Sequence, residues 1–196
     1  EFLAKNIQPA GYATTNNYDY IVTRLGQIPG ATASTISQNN TLNVGLGTSD
    51  QLVVQRWVPS TVESPRDCEG NIVPNATNEL GVFMVSRYFL RTDTQTNAIA
   101  LACDAGFYTE GAASITGYGD EGIVLISYVD NFQVLYGIGT ATSTTPTRFV
   151  TSAQYDALYV LNQDYLYEYV VQTPVVDGGN NSTKFWNRVA VIGNQS

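Results

Sequence analysis

The chain has 196 residues, enough for one domain to bury most of its apolar surface and short for two independent cores. Its nine basic against seventeen acidic residues, net charge −8, disfavour nucleic-acid binding, because a phosphate backbone requires a clustered basic footprint and the sequence, with its basic residues scattered, shows no basic run to build one. The absence of histidine removes every Ser/His and Cys/His catalytic arrangement and, with only two cysteines, a structural zinc site as well.

Charged residues are 13% of the chain, about half the usual share, so Thr, Asn, Gln and Ser must supply the polar surface. Uncharged polar residues alternating with Val, Ile and Tyr are typical of secreted β-rich proteins. The opening Glu1-Phe2-Leu3-Ala4-Lys5-Asn6-Ile7-Gln8 places Phe2, Leu3 and Ile7 on one helical stripe and reads as the tail of a longer helix. Pro9 and Gly11 mark its end. Residues 11–50 are polar and turn-rich and read as irregular structure with short strands.

The first clear strand is Gln51 to Val58, with Leu52 and Val54 facing opposite to Val53, Gln55 and Trp57, and Pro59 ending it. A loop from Ser64 to Asn78 holds Cys68. Gly81 to Leu90 and Ala98 to Cys103 read as a hairpin around the polar turn Thr92 to Asn97. This would carry Cys103 back toward Cys68. A disulfide is the favoured reading of the two cysteines and free buried thiols the alternative; the bridge would close a loop worth about 4 kcal/mol in chain entropy and implies an oxidising compartment.

Residues 106–122 are glycine-rich and read as loop. The strongest β pattern is Ile123 to Gly137, where Val124, Ile126, Tyr128, Phe132, Val134 and Tyr136 keep a two-residue period around a kink at Asp130-Asn131. Gly139 to Thr147 reads as loop, Arg148 to Val150 as a short strand, and Thr151 or Ser152 as the cap of a helix running to Leu158. A tyrosine-rich run, a turn at Asp177 to Asn181 and a final strand from Phe185 to Ile192 complete the chain. Helix first and then strands without βαβ alternation predicts an α+β class, with the N-terminal helix end packed on a mainly antiparallel sheet with long loops. The expected organisation is a single domain over 1–196: helix end 1–10, irregular connection 11–50, sheet region 51–192.

Several segments resemble the PilW family of type IV minor pilins. Phe2 to Tyr12 is similar to the end of that family's long N-terminal helix, Ser49-Asp50-Gln51-Leu52 to its Ser-Asp-x-Leu strand, and Asp67-Cys68-Glu69-Gly70-Asn71 to its Asp-Cys-x-Gly-Asn loop. Ser86 to Leu90 and Leu101-Ala102-Cys103 match the segment with the second cysteine. Val129 to Gly137, including Phe132, Val134, Leu135, Tyr136 and Gly137, is close to the family's Val-Glu-x-x-Gln-Val-Leu-Tyr-Gly run, and Phe185 to Val191 resembles a final Trp-x-x-Val strand. The matches keep family order. The family's acidic calcium-like loop after Tyr-Gly has no counterpart, because Gly139 to Thr144 offers no carboxylate.

The resemblance implies a pilin-like head on a helix that packs in a pilus core, a cell-surface or periplasmic location, and a precursor anchored in the inner membrane. The implied partners are other minor pilins, the major pilin and the inner membrane, in a tip complex that primes assembly and bears on adhesion and twitching motility. No nucleic acid, small-molecule substrate, cofactor, metal or catalytic residue is implied.

Two alternatives stand beside the structural subunit. A binding module, either a tip adhesin or a type II secretion pseudopilin, would use an exposed aromatic surface such as Tyr155, Tyr159, Tyr165, Tyr167 and Tyr169, whose competing reading is sheet packing. A secreted carbohydrate-active β protein would use paired carboxylates, with Asp120, Glu121 and Asp130 as candidates; turn and kink positions explain all three without chemistry.

Overall fold

The computed structural model describes residues 28–30, 32–43, 48–74, 81–140, 148–161 and 183–193, with the side chains of 41–43, 137–140, 156, 158–161 and 183–193 left aside. The described chain is mostly antiparallel sheet. The strands are β1 (Gln38–Asn43), β2 (Thr48–Val58), β3 (Val82–Thr92), β4 (Ile99–Tyr108), β5 (Ile123–Ser127), β6 (Val129–Thr140), β7 (Arg148–Val150) and β8 (Thr183–Gly193). Helix α1 (Ser152–Leu161) and a 3-10 turn (Ala33–Thr35) are the only helical pieces among the described residues, so the β-rich half of the α+β expectation stands. The N-terminal helix end, with Phe2, Leu3 and Ile7, lies outside the described residues, and among those no helix is long and apolar enough to cross a membrane.

Strands β1 to β5 form one sheet in sequence order, and β7-β6-β8 form a second. Alternation along β2 and β3 sends side chains to two faces, and both are buried. On one face Leu52, Val54, Tyr88, Leu90, Leu101 and Cys103 meet Phe132, Val134 and Tyr136 of β6 and Val150 of β7. On the other, Val53, Phe83, Val85 and Tyr108 pack with Ile28, while Trp57, Ala112, Ile115 and Tyr118 close over them. Trp57 and Phe83 rings lie 4.7 Å apart, Phe83 and Tyr108 4.9 Å apart. A sheet buried on both sides accounts for the low share of charge, because its strands leave few positions where a charge would be solvated.

Three sequence expectations need correction. β4 continues to Tyr108 through residues read as loop. Gly106 permits this: a Cβ there would meet the Thr116 carbonyl at 2.5 Å, where Phe107 and Thr116 exchange backbone hydrogen bonds of 3.0 and 2.8 Å. The strand expected over 123–137 is two strands in different sheets, broken at Tyr128, whose φ of 61° turns the chain from β5 to β6. A register slip at Leu101/Ala102 opposite β5 also breaks the two-residue period, setting Val124 opposite Ala102 and Ile126 opposite Leu101, and at this outer strand Ile126 and Tyr128 are exposed. The slip expected at Asp130-Asn131 is present, between Val129 and Asn131 of β6. Finally, β6 runs on to Thr140, into residues read as loop.

Candidate functional site

Two polar assemblies stand out from this apolar frame, and segments that carry the family resemblance build both. The first joins the sheets. Asp50, buried near the start of β2, accepts the Asn40 amide of β1 at 2.8 Å and the Val134 amide of β6 at 2.7 Å. One carboxylate thus ties three strands, using two oxygens for two backbone donors that would otherwise be orphaned. Burial raises its pKa, against the lowering effect of those two amides. Around it, Ser49 Oγ donates to Asn131 Oδ1 at 3.3 Å, and Gln133 Nε2 donates to Thr48 O at 3.0 Å.

The irregular stretch of β1 serves the same joint. Asn40 adopts a φ of 52°, and Asn39 Oδ1 accepts from the Ser152 hydroxyl and the Ala153 amide, both at 3.2 Å, at the start of α1. Thr151 and Gln154 close a reciprocal capping pair: the Gln154 amide donates to Thr151 Oγ1 at 3.3 Å, and the Thr151 amide to Gln154 Oε1 at 2.9 Å.

The second assembly surrounds the disulfide between Cys68 and Cys103, whose Cα atoms are 6.2 Å apart. The loop that presents Cys68 is shaped by Asp67, whose Oδ1 accepts the Glu69 and Asn71 amides, each at 2.9 Å. Gly70, at φ 88°, completes the turn. Glu69 Oε1 then accepts the Ala105 amide at 3.1 Å, satisfying the outer edge of β4 just past the part that β5 covers. The disulfide and this hydrogen bond fasten one loop to one strand.

Asp104, fully buried, accepts the Gly119 amide at 3.1 Å on both oxygens and lies 3.7 Å from Arg87, its cross-strand partner. Arg87 Nε donates to Gln51 Oε1 at 2.7 Å, and its guanidinium sits 3.8 Å over the Phe89 ring. The carboxylates of Glu69, Asp104 and Asp120 fall within 4.8 Å of one another. Hard cations favour such oxygen clusters. Here each carboxylate is engaged by a backbone amide, Asp120 by Gly122 at 2.6 Å. The pKa values of Glu69 and Asp104 are raised, first by burial and then by the neighbouring acids, while the Ala105 and Gly119 amides and, for Asp104, the Arg87 charge act in the opposite sense.

Phe132, Val134 and Tyr136 of the family-like run are buried, Leu135 between them is 42% exposed, and Gly137 pairs with Phe149 of β7 and Trp186 of β8. Tyr155 is buried with its ring 6.2 Å from Tyr136, which withdraws it from any interaction surface because α1 turns that side chain onto the sheet. Tyr159 lies in α1 with its side chain undescribed, and Tyr165, Tyr167 and Tyr169 lie outside the described residues. Sequence reasoning missed the convergence of Glu69, Asp104 and Asp120, which three separate segments bring together. It also missed the bridging role of Asp50, which the Ser49-Asp50 motif marked without showing its partners.

A family model described as Type IV Pilus-assembly protein W matches residues 87–192, more than half of the chain. No curated protein and no solved structure matches the chain. The matched stretch begins within β3 and runs into β8, so it takes in Arg87, Cys103, Asp104 and Val134, the β6 partner of Asp50. The chain belongs to the PilW family of type IV pilus-assembly proteins.

Proposed function

We propose that the chain is a structural minor pilin subunit, located in the pilus and periplasm, that acts with other minor pilins and the major pilin in a complex priming the filament at its tip. The observation that carries this reading is the family match over β3 to β8, which supplies Cys103, Asp104 and Arg87 to the disulfide assembly and Val134 to the joint between sheets. The physical design suits it. A covalent bridge, a carboxylate binding three strands and a core on both faces of a sheet make a rigid body able to hold its shape outside the cell, where a disulfide persists.

Catalysis is not part of the proposal: Asp104, Glu69 and Asp120 hold backbone amides, and Glu121 is exposed. Deleting the gene and counting surface pili by electron microscopy tests the proposal. Loss of most pili, restored by the wild-type gene, is expected. Normal piliation would refute it, and normal piliation with lost protein secretion would assign the chain to a secretion pseudopilus instead.

A further inference from the structure

Sheet edges present unpaired backbone N–H and C=O groups, and proteins that avoid association blunt them with lysine, proline or very short strands. The edges differ in this chain. β1 reads Gln-Asn-Asn-Thr-Leu-Asn and is irregular at Asn40, and β7 has three residues. β5 reads Ile-Val-Leu-Ile-Ser, with neither charge nor proline, and among the described residues β4 alone pairs with it.

The slip at Leu125 has a consequence for this edge. Ile123 pairs with Cys103 and Ile126 with Leu101, two positions on one face of β4, so isoleucines three residues apart share a side. That side of β4 carries the core, but on the outer strand both isoleucines are partly open, at 41% and 43% exposure. Tyr128 follows at 65% exposure, held at a φ of 61° that strains a non-glycine residue. Among the described residues no hydrogen bond or ring contact of Tyr128 offsets that strain. An aromatic side chain displayed in this way beside an apolar edge has the makeup of an interface anchor.

The charges around β5 select its occupant. Asp120 and Glu121 precede it and Asp130 follows it, in a chain of net charge −8. A second copy would bring the same acidic residues and the same net charge to this edge, whereas a basic segment meets opposite charge there. Resting on the reading above as a pilus subunit, we infer that β5 receives an extended segment of another pilus subunit, apolar at alternate positions and carrying Lys or Arg at its ends, which adds as a further strand to the sheet. Backbone hydrogen bonds supply the attachment, Ile123, Ile126 and Tyr128 the apolar contact, and the acidic flanks the register.

The test places a photo-crosslinking phenylalanine analogue at position 126, at 128 and, as a control, at the exposed Val62, in the full-length protein in assembling cells. Mass spectrometry then identifies the joined peptide. Cross-links are expected from 126 and 128, and not from 62, to one segment of another pilus subunit with basic residues at its ends. Ile126→Lys should lower the yield of the 128 cross-link at least about ten-fold, and Glu121→Lys about three-fold. Both replace exposed side chains, and circular dichroism of each confirms the fold. Cross-links to this chain itself, to a segment without basic ends, equally from 62, or none in cells that assemble pili would overturn the inference. Piliation that depends on the chain but is indifferent to both substitutions sinks strand addition alone, whereas piliation indifferent to the chain sinks both readings.

Discussion

Replacing Asp50 with alanine removes the acceptor for two amides at once, Asn40 at 2.8 Å and Val134 at 2.7 Å. A buried donor left without a partner costs about 1–3 kcal/mol. Alanine also relieves the desolvation of a carboxylate whose pKa burial has raised, so the net loss should be about 2–4 kcal/mol. With a urea dependence of about 2 kcal/mol per molar, the unfolding midpoint should fall by about 1–2 M. Asp50→Asn keeps one acceptor and should lose roughly half as much. Hydrogen exchange adds the local readout, since the Val134 and Asn40 amides should lose protection in the alanine variant before the rest of β2 does. Because a raised carboxyl pKa makes the native protein more stable when protonated, the gap between wild type and Asp50→Ala should widen from pH 7 toward pH 5. A midpoint displaced by no more than the ~0.5 kcal/mol typical of a surface change, with Val134 still protected, would refute the claim that this carboxylate joins the sheets.

Other expectations concern the second assembly. Replacing Cys68 and Cys103 together with serine opens a loop between residues 35 apart and should cost about 4 kcal/mol, seen as a lower urea midpoint that added reductant no longer changes; equal midpoints for both proteins would contradict it. Arg87→Ala leaves Asp104 buried without its cation and should destabilise by about 3 kcal/mol, rescued in part by Asp104→Asn, and an absence of that coupling in a double-mutant cycle would count against the pair. Asp50, Glu69 and Asp104 all have raised pKa values, so each lowers stability at neutral pH and the penalty is relieved as pH falls through the raised values toward the ordinary carboxyl value. Stability should therefore rise from pH 7 to about pH 5, while Asp93, whose pKa is lowered first by the Thr96 hydroxyl, loses its contribution only in stronger acid; a steady decline below pH 7 would contradict the assignment. Gly122→Ala sets a Cβ against the Cys103 carbonyl at a φ of 57° and should destabilise by more than about 1 kcal/mol in thermal unfolding.

The strands were legible where alternation was clean. Leu52 and Val54 do oppose Val53 and Trp57, and the hairpin around Thr92 to Asn97 follows from two β-rich runs with a polar turn between them. Legibility failed where a backbone feature had no side-chain signature. Tyr128 breaks the chain between sheets with a residue type that normally favours strands, and Gly106 reads as loop although it sits inside β4 because another segment passes too close for a Cβ. The two polar assemblies could not be read at all, since Asp50 meets Val134 and Glu69 meets Ala105 only through tertiary folding. The motifs Ser49-Asp50 and Asp67-Cys68-Glu69-Gly70-Asn71 marked the right residues without showing what they hold.

The most direct measurement is the protein content of pili sheared from cells and purified. This chain should be present in them, at far fewer copies than the major subunit and together with other minor pilins. Its absence from the filaments of a strain that expresses it and assembles normal pili would contradict the claim that it is a structural part of them.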